Sequence, residues 1–197
     1  RYQIEGDYSS AAYFLAAGVI GGKPVTVNNL KKDSVQGDCH LLNILAEMGG
    51  AVDHQKGSVT AHRSGGLKGV DIDLGDYPDL VPTLAVVAAF AAGKTKITNI
   101  AHLRFKESDR LNDTVSELNK MGVKTEVGDD TMVIYGGKPR GAEIDAHHDH
   151  RLAMSLSVAA LFADGGCIIN GAEAVTKSYP AFFSDLLKLG AKVEELS

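Results

Sequence analysis

The amino-acid sequence predicts an α/β fold in which three repeated helix-strand-helix-strand units pack as one domain around buried core helices. Two observations carry this expectation. Three apolar, small-residue-rich segments, residues 11–27, 80–98 and 152–169, each pass through glycine into a short β-type stretch that closes on an asparagine, and Asn29, Asn99 and Asn170 stand 70 and 71 residues apart. A second apolar pattern at three- and four-residue spacings then follows in each copy, and each time it stops at a glycine, namely Gly49, Gly122 and Gly190.

Each element has its own reason. The first helix of every copy is apolar nearly all round, so it has no face to give to water and belongs in the core. The second carries Leu41, Leu45 and Met48 in copy one, Leu111, Val115, Leu118 and Met121 in copy two, and Phe183, Leu186, Leu187 and Leu189 in copy three, which predicts helices with one solvated face. After the glycine caps, Lys124-Thr125-Glu126-Val127 and Lys192-Val193 read as strands. The repeats run roughly over 5–66, 67–140 and 141–197. Tyr2-Gln3-Ile4 already reads as a strand in progress behind a non-methionine Arg1, so the chain is expected to be part of a longer protein.

Composition narrows the function classes. With 44% hydrophobic and 23% charged residues the 197-residue chain is an ordinary globular one, and no apolar run reaches the roughly 18 residues that span a bilayer. The net charge of -5 argues against nucleic acid as a partner, while leaving room for a local cationic pocket. Cys39 and Cys167 stand alone, without metal-ligand spacing, and no secretory leader is read, so a reducing compartment is expected: the cytoplasm, or a plastid in a plant.

Counting back 20 residues from each asparagine reaches Ser9, Asp79 and His150, each at the start of its buried helix. Unpaired backbone N–H groups make helix starts natural anion sites, although Ser9 and Asp79 equally suit simple N-capping. The second helix of the middle copy is led in by Arg104-Phe105-Lys106-Glu107-Ser108-Asp109-Arg110. Cations there oppose the helix dipole, so Arg104, Lys106 and Arg110 call for an anion or a carboxylate to answer them. Lys177, in Thr176-Lys177-Ser178-Tyr179-Pro180, holds a similar place in copy three, with Pro180 suited to a first helical turn. Two other signals fail. Gly93-Lys94-Thr95 imitates the end of a phosphate-binding loop but follows a helix and lacks the leading glycine, since Ala88 stands there. In His147-His148-Asp149-His150 consecutive side chains point apart, so no metal site is expected.

Lys106-Glu107-Ser108-Asp109-Arg110-Leu111, together with Asp149-His150-Arg151, Thr176-Lys177-Ser178-Tyr179-Pro180 and Glu5-Gly6-Asp7-Tyr8-Ser9-Ser10-Ala11, resembles the 5-enolpyruvylshikimate-3-phosphate synthase family over essentially the whole chain. That resemblance implies the C-terminal domain of a two-domain, inside-out α/β enolpyruvyl transferase without its N-terminal partner domain. It implies transfer of the enolpyruvyl group of phosphoenolpyruvate to the 5-hydroxyl of shikimate 3-phosphate, with release of phosphate, by a monomer that uses no metal or organic cofactor. It also implies roles. Asp79 and Glu107 are the catalytic carboxylates, phosphoenolpyruvate is bound by Arg110, Arg151, Lys177 and His150, and shikimate 3-phosphate by Asp79, Lys106 and the position of His102. His102 departs from the asparagine expected there, which puts that contact in question. A UDP-N-acetylglucosamine enolpyruvyl transferase shares the repeat and the donor, and a non-catalytic anion-binding domain of the same fold is the alternative outside enzymes.

Overall fold

The structure, a computed structural model, describes residues 4–196. Tyr2 and Gln3 of the expected leading strand therefore lie outside the described residues, and Ile4 is irregular and exposed.

Three helices form the centre: α1 (Tyr8–Gly21), α3 (Val81–Ala89) and α5 (His150–Phe162). They are the three apolar segments of the sequence, and they pack on one another because none has a polar side to turn outward. Where polar groups enter this bundle they meet a partner: the hydroxyls of Thr83 on α3 and Ser155 on α5 lie 3.1 Å apart.

Sheets surround the bundle. Strands β1 (Val25–Asn28), β2 (Gly50–Gln55) and β3 (Ser58–Arg63) make an antiparallel sheet in the order β1-β3-β2. Strands β4 (Asp71–Asp73), β5 (Lys94–Thr98), β6 (Lys124–Val127) and β7 (Met132–Tyr135) follow in the order β4-β5-β7-β6, with β4 parallel to β5. Strands β8 (Glu143–Asp145) and β9 (Ile168–Asn170) form a parallel pair. The amphipathic helices α2 (Leu41–Glu47), α4 (Arg110–Lys120) and α6 (Phe182–Lys188) each run out into a left-handed glycine, Gly49, Gly122 and Gly190, at φ 102, 78 and 91.

The copies correspond, but with a register that differs by one residue from the asparagine count. Asp73 pairs with Thr98 and Asp145 with Asn170, and the bridges Lys68–Ala92 and Arg140–Asp164 repeat the same offset of 72 residues. The left-handed residue closing each strand is Asn29 (φ 63), Asn99 (φ 60) and then Gly171 (φ 72), not Asn170. Copy three fills the position with glycine, and its asparagine is the last strand residue. The counterpart of Asp79 is consequently Arg151 rather than His150.

Two further expectations change. Lys192-Val193 forms no strand, since no neighbouring chain offers it a ladder among the described residues. Pro180 lies two residues ahead of α6, outside the helix. Lys94 and Thr95 sit in β5, so the Gly93-Lys94-Thr95 triplet opens a strand and not a helix. No helix among the described residues is long and apolar enough to cross a membrane.

Candidate active site

The starts of the buried helices are capped by residues other than those expected. Asp7 caps α1, accepting from the amides of Ser9 and Ser10, and Asp149 caps α5, accepting from those of Arg151 and Leu152. Ser9 is thereby released, and its hydroxyl donates to the Asp38 carboxylate. Burial raises the pKa of Asp38 against that hydrogen bond, with the Asp79 carboxylate raising it further. Asp79 caps nothing. It lies in the 3-10 turn Pro78–Leu80 that leads into α3, and its carboxylate accepts from Arg110 Nη1 at 2.9 Å and faces Arg151 Nη2 at 2.8 Å.

Arg110, the first residue of α4, is the hub. Its side chain is 1% exposed, and its guanidinium donates to three carboxylates: Nε to Asp149 Oδ2 at 2.6 Å, Nη2 to Glu107 Oε2 at 2.5 Å and Nη1 to Asp79 Oδ1 at 2.9 Å. Nη2 also reaches Asp149 Oδ1 at 3.3 Å, which makes that pair bidentate. Burial alone would lower the pKa of this group, but Asp149, followed by Glu107 and Asp79, outweighs it and holds the charge on more firmly than in a free arginine. The carboxylates answer the cation that the sequence places against the helix dipole.

His150 closes the cluster on the α5 side. Its Nδ1 is buried without a hydrogen-bond partner and stands 4.0 Å from Glu107 Oε1. Burial, then the Arg151 charge beside it, pull its pKa below the ordinary histidine value. Tyr13 on α1 lies close enough to feel Arg151 and Asp79, and burial pushes its phenol up to about 12.

Asp79, Glu107, Arg110, His150 and Arg151 are thus brought together from three segments. Lys177 joins indirectly. It is exposed at the end of the 3-10 turn Ala172–Lys177, and its Nζ donates to the His148 carbonyl at 2.9 Å. Lys106 is exposed beside Glu107. His102 is not part of the cluster: it lies in the 3-10 turn Ala101–Phe105, and its Nε2 is buried with no hydrogen-bond partner. Sequence reasoning gave no role to Asp149, Asp38 or Glu117. Only Asp149 carried a usable signal, as a good capping residue before an apolar run.

The histidine run does not converge. His147 turns to Glu117, with Nε2 at 2.8 Å from Oε1, His148 is exposed, and His150 faces the cluster. No group of three or more His, Cys, Asp and Glu side chains is gathered as a metal site among the described residues. The cluster lies on an open wall. Two concavities among the described residues, of about 260 and 470 Å³, are lined by other side chains, the first between Asp7, Phe14 and Tyr179 and the second between Phe90, Lys138 and Phe162.

Comparison with known proteins identifies relatives of the chain. A sequence model of EPSP synthase (3-phosphoshikimate 1-carboxyvinyltransferase) matches residues 1–186. The chain is similar to the 3-phosphoshikimate 1-carboxyvinyltransferase of Methanocella arvoryzae, 53% identical over 98% of this chain and 46% of that protein. It is also similar to that of Clostridium acetobutylicum, 46% identical over 100% of this chain and 45% of that protein. Among solved structures, EPSP synthase from Acinetobacter baumannii superposes with a TM-score of 0.87 at 32% identity, covering 98% of this chain and 47% of that one. The enolpyruvyl transferase NikO from Streptomyces tendae gives 0.80 at 26% identity, covering 98% and 45%. The chain spans about half the length of the curated relatives it matches. By its sequence and its fold, the chain belongs to the EPSP synthase (3-phosphoshikimate 1-carboxyvinyltransferase) family.

Proposed function

We propose that this chain, a single domain of three repeats over roughly 5–66, 67–140 and 141–197, supplies one wall of an active site in a longer protein. That protein transfers the enolpyruvyl group of phosphoenolpyruvate to the 5-hydroxyl of shikimate 3-phosphate. The observation that carries the reading is the sharing of one buried guanidinium by two partly exposed carboxylates, Asp79 and Glu107.

The chemistry needs such a pair. The substrate hydroxyl attacks the central carbon of phosphoenolpyruvate and loses its proton, while the methylene carbon gains one. The tetrahedral intermediate then returns a proton from the new methyl group and expels phosphate, so the reaction balances by acid-base steps alone. Asp79 is assigned to the substrate hydroxyls and Glu107 to the methylene carbon. Arg110, Arg151, Lys177 and His150 are assigned to the carboxylate and phosphate of the donor, where planar guanidiniums match both anions. Lys106 and the His102 position are assigned to shikimate 3-phosphate.

Charge supports the idea of an opposing wall. The cluster sets two guanidiniums, Arg110 and Arg151, against three carboxylates, Asp79, Glu107 and Asp149, so it has no positive excess for a polyanionic donor. Further cations and exclusion of water are required from the other half of the molecule. Phosphate release from both substrates tests this. The longer protein is expected to be active, this chain alone inactive, and the chain mixed with the other half active again. Glu107→Gln in the longer protein is expected to lower turnover by roughly 10²–10⁴-fold, with little change in substrate affinity. Turnover by the isolated chain, or an unimpaired Glu107→Gln, overturns the assignment.

A further inference from the structure

The segment 145–149, between β8 and α5, contains two consecutive left-handed residues, His147 (φ 50) and His148 (φ 55). Histidine enters this region more readily than most side chains, but a Cβ still makes it sparsely populated, and two such residues in succession need support from their surroundings. The surroundings are found on one helix. At the entrance of the segment, Glu117 of α4 is fully buried, and its Oε2 accepts the Asp145 amide at 2.9 Å while its Oε1 holds His147 Nε2 at 2.8 Å. At the exit, Arg110 of the same helix holds the Asp149 carboxylate. Seven residues separate the two grips, two helical turns and about 10.5 Å along the axis. Asp113, one turn from each, adds an oxygen 3.7 Å from His147 Nδ1, and Asp145 Oδ1 accepts the His147 amide at 2.6 Å.

The third-repeat groups assigned to the donor above are tied to this segment. The His148 carbonyl accepts Lys177 Nζ, and Asp149 caps the helix turn that bears His150 and Arg151. A carboxylate with no exposed surface is closed to a substrate in solution. Lys120 of the same helix meets Glu117 Oε2 at 2.9 Å, and the other partners of Glu117, the Asp145 amide and the His147 ring, are parts of the loop. We propose that Glu117 is a positioning residue: with Arg110 it clamps the two ends of 145–149, forces the left-handed histidine pair, and so aims Lys177, His150 and Arg151 at a common anion. The aim at phosphoenolpyruvate rests on the function proposed above; the clamp does not.

The test uses the full-length protein and two readouts. The first is amide hydrogen exchange without ligand, where Glu117→Gln is expected to speed exchange of the Asp149 amide, now bonded to the Ala146 carbonyl, at least tenfold over the wild type. The second is steady-state kinetics, where the KM for phosphoenolpyruvate is expected to rise about tenfold or more while the KM for shikimate 3-phosphate stays within about twofold. Loss of folded protein alone would reduce the amount of active enzyme and leave both KM values in place. The decisive variant is Glu117→Gln combined with His148→Gly, since glycine takes a positive φ without being forced. The double variant is expected to recover much of the lost KM. A Glu117→Gln protein with unchanged exchange, or with changed exchange and an unchanged KM for phosphoenolpyruvate, or a double variant no better than the single, overturns the proposal. If the wild type does not use phosphoenolpyruvate, the assigned activity fails and the exchange result alone decides the clamp.

Discussion

Arg110 could be chosen from the sequence because it sits in a charged lead-in to an apolar helix, yet its environment could not be foreseen. Glu107 is a local partner three residues away, but Asp79 and Asp149 come from 31 and 39 residues off, and pairing over such distances leaves no local periodicity to read. Breaking a buried pair of this kind costs about 3–5 kcal/mol, so Asp149 is as much a part of the site as the residues that face outward. His150 has a sharper consequence. Its pKa is lowered by burial first and by Arg151 second, so the folded protein binds this proton less readily than the unfolded chain does. Above the unfolded value of about 6.5 the imidazole is neutral in both states and pH has no effect through it. As pH falls through that value the unfolded state gains the proton first, and stability is lost until the lowered folded pKa is also passed. Urea midpoints of the wild type and His150→Gln, taken between pH 7.5 and 5, check this. The wild type is expected to lose more stability than the variant over that range, and parallel curves would remove His150 as the cause. Of the site residues expected from sequence, Lys106 is exposed, Lys177 reaches the His148 carbonyl, and His102 Nε2 is buried without a hydrogen-bond partner, so these three stand outside the ion-pair cluster of Arg110.

Elements were legible wherever one residue type fixes a local geometry. Glycine caps ended all three amphipathic helices, and apolar text without a polar side marked the three central ones. The error of one residue in the repeat register arose where two residue types serve the same geometry. Asn29 and Asn99 adopt the left-handed turn with a side chain that tolerates it, and Gly171 does so with none. Matching asparagine to asparagine therefore misplaced copy three, and put His150 where Arg151 belongs. A second pair of glycines shows the true offset through packing. A Cβ on Gly69 would stand 2.1 Å from the Lys94 carbonyl oxygen, and one on Gly141 would stand 2.2 Å from that of Gly166. These obstacles are backbone, which cannot rotate away. Gly69→Ala and Gly141→Ala are each expected to destabilise the fold by about 1–3 kcal/mol, whereas Gly66→Ala, with nothing within 4 Å, is expected to be near neutral. Equilibrium denaturation of the three variants measures this, and a Gly69→Ala protein as stable as Gly66→Ala would show that the two strands do not approach so closely.

The whole molecule is built from like units that are not equally finished, and stability should follow that inequality. The sheet of the middle repeat has four strands, that of the first has three, and that of the third has only β8 and β9 among the described residues. In the middle repeat, β5 is paired on both sides, by β4 and β7. Its counterpart β9 is paired on one side by β8, and Ile168 at its start is 46% exposed, with Leu187 and Leu189 of the same repeat 50% and 57% exposed. A two-stranded sheet has little stability of its own, and an open edge exchanges its hydrogen bonds with water readily. The central helices α1, α3 and α5 meet the opposite condition, since they are buried on nearly every side and open only when the core does. Native-state hydrogen exchange on this chain should therefore be graded, slowest in the three central helices, intermediate in β5, and fastest in β9. The gradient has a functional corollary, because Lys177 follows β9 by a single 3-10 turn and takes its position from the third repeat. If the other half of the longer protein covers this edge, exchange in β9 slows toward that of β5 when the halves are combined. Equal protection of β5 and β9 in the isolated chain would contradict the gradient, and would mean that the third repeat is held by its helices alone.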